Sequence, residues 1–461
     1  MFVNMKTNCL RLTALTLILL MVAGCTLPAA TDSSSNAAVS EAESSWGVSG
    51  IAEPAVSELP VSEHPIPEQN AASVLDDLPE TVPSEEYTSV SESASASEPE
   101  PVETYSSQEV DQQIAEILAG MTPEEKAAQL FVVTPEALTG FDGSVTAAGD
   151  LTREAYNDIP VGGIVYMGNN LETSEQTRTM LADMQEISMD RIGLPALLCV
   201  DEEGGTVARI SGVEGFDIPE YPDMCDIGAS GDTVRAREIG EEMGSYLSDL
   251  GFNVDFAPVA DIWSNEENEV VKYRAFSSDP DVVASMTAAF SEGLSSFGVL
   301  ASYKHFPGHG NTVADSHAGF AESDADLSTL RERELIPFQD GIERGAPMIM
   351  VGHISLPNVA EDDLPASLSG IIITDLLRHE LGYDGIVITD ALNMGAIADN
   401  YSSGEAALMA LQAGADLLLM PVSFSAAYET VKDAISDGTL SEQRVNESLE
   451  RILRAKLQLM E

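Results

Sequence analysis

Between residues 130 and 420 the chain alternates short, mainly apolar runs with longer stretches whose apolar positions recur every three or four residues. The runs fall at 130–133, 163–167, 196–200, 254–257, 299–303, 348–351, 386–389 and 417–420. They are too short for helices and, apart from Asp255, Ser302 and Thr389, apolar throughout, as strands buried on both faces are. Helical periodicity occupies 110–118, 123–129, 233–250, 280–297, 327–344, 405–413 and 441–459. Thr122, Pro123 and two glutamates open the second of these, a helix-start signal. Alternation of this kind predicts an α/β fold with a parallel sheet covered by helices. Eight strands are the number that closes a barrel, so residues 108–461 are expected to form a single (β/α)8 TIM-barrel domain. Its length lies within the ~200 to over 400 residues of such folds. An open doubly wound sheet is the alternative, but no Gly-x-Gly-x-x-Gly follows the first strand.

The residues before the barrel pattern read differently. Lys6 and Arg11 precede an apolar run at 12–24 that is shorter than the ~20 residues of a membrane span. Val22-Ala23-Gly24-Cys25 resembles a bacterial lipoprotein cleavage box, which makes Cys25 the lipidated residue; plain secretion with cleavage near 28–30 is the alternative. The expected location is the outer face of the cell membrane, held there by lipid alone. From 26 to 107 there are sixteen acidic and no basic residues among Ser, Pro, Ala and Val. That composition buries too little to offset chain entropy and predicts a disordered tether, spanning at least roughly 50 Å.

Charge narrows the partners. A formal net charge of −56 excludes nucleic acid and any anionic surface as electrostatic partners. The ligand should be neutral, cationic, or held by a few local basic groups, and the protein is expected to act as a monomer without a cofactor. Of four cysteines, only Cys199 and Cys225 lie in the barrel region, too few for a disulfide framework. Cys199 sits within an apolar run and reads as a core residue.

Candidate chemistry concentrates between Lys304 and His317, where three of the six histidines sit beside a lysine and Asp315. Pro307 and Gly308 forbid a helix, so these polar groups are expected on a loop after the 299–303 strand. A metal site or an acid/base site would each explain the density. Paired histidine ligands four apart need a helix, which Pro307-Gly308 removes. Acid/base chemistry asks less, because Asp315 can orient the ring of His317 and raise its basicity.

Functional groups in a TIM barrel project from the C-terminal ends of strands. Those positions hold Asp201 with Arg209 beyond it, Asp261 leading to Arg274, then Lys304 and His305, His353, and Asp390. His353 could equally be a core histidine, and Arg209 and Arg274 surface ion-pair partners; His379 reads as an ordinary helix residue. Asp390 facing His317 would supply a nucleophile and a proton shuttle, with Asp201, Arg209, Arg274, Lys304 and His305 ringing a neutral polyhydroxylated ligand. Retaining glycosidases have that geometry.

Lys304-His305-Phe306-Pro307-Gly308-His309-Gly310 followed by Asp315-Ser316-His317 resembles glycoside hydrolase family 3, in its β-N-acetylglucosaminidase (β-hexosaminidase) branch. Likeness extends from Met121-Thr122-Pro123-Glu124-Glu125-Lys126 to the last helix. It includes Asp201-Glu202-Glu203-Gly204-Gly205, Arg274-Ala275-Phe276 and Ile388-Thr389-Asp390-Ala391-Leu392-Asn393-Met394. The resemblance implies Asp390 as nucleophile, His317 paired with Asp315 as acid/base, and Asp201, Arg209, Arg274, Lys304 and His305 as contacts to N-acetylglucosamine. It implies no metal and no cofactor, and removal of terminal N-acetylglucosamine from glycans such as cell-wall fragments. Thr206 stands where many relatives carry arginine, and Ala391 where some carry a second aspartate. The additional C-terminal domain of some relatives is not expected here, which weighs against the glucosidase and xylosidase branches. Release of the sugar as a 1-phosphate, a metal-dependent hydrolase, or a surface lipoprotein that binds glycans without turnover are the competing expectations.

Overall fold

The computed structural model describes residues 107–312 and 321–460. The leader with Cys25, the tether, and the Asp315–His317 pair lie outside the described residues. Among the described residues ten strands occur: β1 (Phe131–Val133), β2 (Gly163–Val165), β3 (Leu197–Val200), β4 (Val254–Asp255), β5 (Leu300–Phe306), β6 (Ala321–Glu322), β7 (Met348–Val351), β8 (Ile354–Ser355), β9 (Ile386–Thr389) and β10 (Leu418–Leu419). Eight form one all-parallel sheet in the order β10-β1-β2-β3-β4-β5-β7-β9. A parallel bridge from Ile388 to Leu417 joins its two ends and closes a (β/α)8 barrel. All eight expected strands are found. The short β6–β8 pair, which the sequence pattern does not foretell, forms outside the barrel sheet.

Helix limits follow local chemistry. Thr122 caps Pro123–Ala128 in a reciprocal arrangement with Glu125, and Ser402 does the same with Glu405 for Ser403–Ala413. The helix expected at 327–344 is two helices, Leu327–Glu332 and Ile336–Glu343. Pro337 has no N–H to give the carbonyl of Arg333, so the turn cannot propagate through it. Glu334, in the gap, turns inward and is buried, accepting from Arg333 Nε (2.6 Å) and Ser264 Oγ (3.2 Å).

β5 differs most from expectation. It continues through Lys304 and His305 to Phe306, so these two residues belong to the strand and not to a loop after it. Their side chains are buried, and the loop begins only at Pro307. Cys199 and Cys225 are both free thiols, the first in the core. No described helix is long and apolar enough to cross a membrane.

Beneath the barrel, the C-terminal helix Glu442–Gln458 turns Lys456 inward, where it is 0% exposed. Its Nζ donates to Gln129 Oε1 (2.8 Å), and Gln129 Nε2 donates to the carbonyl of Pro160 (2.7 Å). With a neutral amide as partner, burial pulls the Lys456 pKa from its ordinary 10.5 to about 7. Below pH 7 the ammonium is charged in both folded and unfolded chains, and folding bears its full desolvation cost. As pH rises from 7 toward 10.5, the unfolded chain alone holds the proton, and that cost fades. Lys456→Met is therefore expected to stabilise the fold by about 1–3 kcal/mol at pH 7, after Gln129 loses its donor. Urea unfolding across pH 6–10 should show the gain shrinking as the solution becomes alkaline.

Candidate active site

Three charged side chains from three neighbouring strands meet at the C-terminal end of the barrel. Glu203 follows β3, Arg274 stands on the loop after β4, and Lys304 points inward from β5. Glu203 takes two parallel hydrogen bonds from Arg274, from Nε and from Nη2, each 2.7 Å. Its Oε1 also lies 2.6 Å from Lys304 Nζ, with both side chains 2% exposed. Lys304 reaches Asp201 Oδ1 as well, at 3.0 Å. Burial disfavours the Glu203 charge, but Arg274 and Lys304 outweigh it and hold the carboxyl far below the usual range. Desolvation likewise opposes the charge of Lys304, and Glu203 and Asp201 more than compensate, leaving its pKa raised.

The Asp201–Ser211 loop is shaped from within by Glu202. That buried carboxylate accepts the backbone N–H groups of Arg209 (2.6 Å), Ile210 (3.0 Å) and Ser211 (2.8 Å), and the hydroxyl of Tyr246 (2.9 Å). Glycines at 204 and 205 take φ of 86° and 57°, conformations that a side chain resists. Arg209 is thereby brought back over the barrel mouth, its Nη2 3.8 Å from Asp201 Oδ2. Thr206 faces away from this pair and bonds Asp223 Oδ1 through its N–H (2.8 Å) and hydroxyl (2.7 Å).

A second buried carboxylate organises the histidines. Asp261 Oδ2 lies 2.7 Å from His305 Nδ1, while Oδ1 accepts the backbone N–H of His305 (3.2 Å) and of His309 (2.6 Å). Burial would raise the Asp261 pKa, yet the two imidazoles and these N–H groups lower it. With Nδ1 committed to Asp261, the Nε2 edge of His305 is the one left for a ligand. His309 bonds Thr312 Oγ1 through Nδ1 (3.0 Å), and burial depresses its pKa.

Asp390 terminates β9. Its Oδ1 accepts the N–H of Ala391 (2.7 Å), and no described residue hydrogen-bonds Oδ2. Desolvation works against the charge of Asp390, but His305, His353 and the Ala391 N–H together lower its pKa, so the carboxylate is ionised at neutral pH. His353 is buried behind it: Nε2–H donates to the carbonyl of Ala391 (3.0 Å), and Nδ1 pairs with Ser367 Oγ (2.7 Å). It supports the turn from below and does not line the cavity. His379 is an exposed helix residue near Asp375.

Asp201, Arg209, Arg274, Lys304, His305 and Asp390 all line one cavity of about 330 Å³. It lies at the small end of the ~300–1,000 Å³ typical of ligand sites. Sequence reasoning gives no role to Glu203 or Asp261, although both hold cavity residues in place. Their one signal is acidic residues at barrel-strand ends where packing offers no use for them. Among the described residues, no three His, Cys, Asp or Glu side chains are grouped so as to hold a metal ion.

Residues 122–455 match the model of the glycosyl hydrolase family 3 N-terminal domain. The chain belongs to glycosyl hydrolase family 3. Among family members, the β-hexosaminidase LpqI of Mycobacterium tuberculosis is 33% identical over 351 residues, covering 74% of this chain and 84% of its own length. β-Hexosaminidase A of Pseudoalteromonas piscicida is 33% identical over 324 residues, which are 65% of this chain but only 54% of that enzyme. The solved structure of a family 3 β-N-acetylglucosaminidase from Paenibacillus sp. str. FPU-7 superposes with a TM-score of 0.68 at 36% identity, covering 74% of this chain and 63% of the other. This chain thus spans little more than half of some of its longer relatives.

Removing the acid at the centre of the charge network leaves two buried cations facing each other. Glu203→Gln is expected to destabilise this family 3 domain by about 3–5 kcal/mol. Urea unfolding should show a lower midpoint with an unchanged slope.

Proposed function

We propose that the chain is a retaining, exo-acting β-N-acetylglucosaminidase. The observation that carries this reading is the ionised Asp390 carboxylate, with one oxygen unengaged by any described residue, in a cavity ringed by Asp201, Arg209, Lys304 and His305. Those four groups offer donors and acceptors suited to sugar hydroxyls, and a cavity of about 330 Å³ suits one terminal residue better than a chain. Relatives named β-hexosaminidase and β-N-acetylglucosaminidase point to N-acetylglucosamine as that residue.

In this mechanism the Oδ2 lone pair of Asp390 attacks the anomeric carbon as the bond to the leaving oxygen breaks. His317, oriented by Asp315, gives that oxygen a proton. Water then attacks the glycosyl–Asp390 ester, His317 recovers a proton from it, and the free carboxylate returns. Configuration is retained because the carbon is inverted twice. Lys304, held by Glu203, and His305, held by Asp261, need no reorganisation when the sugar arrives. Arg274 is already committed to Glu203 through two of its three guanidinium nitrogens, and to the Val270 carbonyl through the third, so its part is to fix that acid. The mechanism needs no metal or cofactor.

Export with lipidation at Cys25 and action as a monomer complete the reading. Cell-wall fragments then fit as the natural glycan, and chitin oligosaccharides compete with them.

Three measurements test the mechanism. Asp390→Ala should retain sugar binding while turnover of a 4-nitrophenyl N-acetylglucosaminide falls by ~10³-fold or more. His317→Ala should lose about 10²–10⁴-fold, the usual contribution of a general acid/base. Trapping with a 2-deoxy-2-fluoro or 5-fluoro glycoside should place a mass adduct on Asp390. An inverted product, an adduct elsewhere, or loss of activity on chelation with EDTA would refute this reading. Added phosphate that diverts product to the sugar 1-phosphate would replace hydrolysis with phosphorolysis.

A further inference from the structure

The sheet order divides the cavity rim into two arcs of different chemistry. Asp201 and Lys304 with His305 line the cavity from the ends of β3 and β5, and Arg274 from the loop after β4; with β7, which contributes Met350, these strands are consecutive around the barrel. The remaining arc is β9, β10, β1 and β2. Three of those four strands lead into methionines that line the cavity: Met394 beyond β9, Met420 beyond β10 and Met167 beyond β2. Asp390 stands where the two arcs meet.

Met420 is the unusual member. Among the described residues fifteen glycines take positive φ, but only two other residues do, Asp363 (54°) and Met420 (46°). Aspartate tolerates that region comparatively well, whereas methionine has no local hydrogen bond to offset its crowding. Such a backbone is strained for any side chain, and glycine would relieve the strain. The conformation is fixed from two sides. Met420 N–H donates to the carbonyl of Val132 (2.9 Å) on β1, and the preceding Leu419 carbonyl accepts the N–H of Leu392 (2.9 Å), two residues past Asp390. Leu419 N–H in turn donates to Thr389 Oγ1 (3.1 Å). The strained residue is therefore bonded to β1, and the residue before it to the strand that leads into Asp390.

We infer that Met420, flanked by Met167 and Met394, forms the surface that receives the methyl of the 2-acetamido group. The inference rests on the assignment of Asp390 as nucleophile toward an N-acetylglucosaminide. C2 is bonded to the carbon attacked, so its substituent must lie close beside Asp390. Hydroxyls elsewhere on the ring take the polar arc, which leaves the thioether arc for the one apolar group that this sugar carries. Methionine suits that role, since its flexible, polarisable side chain conforms to a small methyl. Met420 and Met167 are both partly exposed, as a contact surface requires.

The test separates the methyl contact from catalysis itself. kcat/KM is measured for 4-nitrophenyl β-glycosides that differ only in carrying an N-acetyl or an N-formyl group at C2. In the unmodified protein the acetyl substrate is expected to be favoured by about 10-fold or more, the usual worth of one such carbon in an apolar pocket. Met420→Gly keeps the positive φ available and removes the side chain, and should bring that ratio to within about threefold of unity. Met167→Gln, similar in length but polar, should lower the ratio as well, and it covers the case in which Met420→Gly does not fold. Ratios that stay unchanged in both variants, or a ratio near one in the unmodified protein, would overturn the inference. Absence of turnover on either glycoside would instead refute the activity and the subsite with it.

Discussion

Three buried charges set the geometry of the barrel mouth. Glu203, Arg274 and Lys304 come from successive strand ends, and none could be buried there alone, because an isolated ion in that environment would neutralise or draw in water. Together they satisfy one another with bonds of 2.6–2.7 Å, and the pKa directions of the acid and of both bases favour the charged forms. The network holds Lys304 where its ammonium also reaches Asp201. A flexible lysine thereby becomes a fixed donor, and its ordering is part of folding and not of ligand binding.

Asp261 repeats the device with imidazoles. It engages the ring and backbone of His305 and the backbone of His309, which defines the loop entry at Pro307 as well as the orientation of one ring. Glu202 does the same for the stretch that returns Arg209 to the cavity. The cavity wall is thus held by a layer of buried carboxylates just beneath it. Asp390 differs from all three, for its Oδ2 finds no hydrogen-bond partner among the described residues. On the proposed mechanism that oxygen is the one that reacts, while the other three carboxylates hold their neighbours in place.

The opposite end of the barrel carries ions for another purpose. Asp416, fully buried, gathers Arg378, Arg444, Arg451 and Ser448 and accepts the N–H of Val387 at 2.9 Å. These contacts join the last helix to β9 and hold the ring of strands closed from below. Lys456 lies in the same helix without a counter-ion among the described residues, and its burial weakens the fold at neutral pH. Mouth and base therefore contain similar residues, and the difference in their use follows from which end of the strands they occupy.

Much of this was legible along the chain. Unbroken apolar runs at 386–388 or 348–351 admit few structures other than buried parallel strands, and strand polarity then places Asp201, Lys304, His305 and Asp390 at one end. Capping pairs such as Thr122 with Glu125 mark helix starts because the hydrogen bonds are local. What lay hidden was non-local or concerned burial. Nothing near Glu203 reveals that its partner stands 71 residues away, since the pairing exists only once β3, β4 and β5 are side by side. β5 passes through Lys304 and His305 because the interior offers those charges partners, which no count of apolar residues can register. The positive φ of Met420 likewise belongs to closure: β1 and the Asp390 turn grip the Leu419–Met420 peptide from either side, and tertiary hydrogen bonds overrule the backbone preference of Met420.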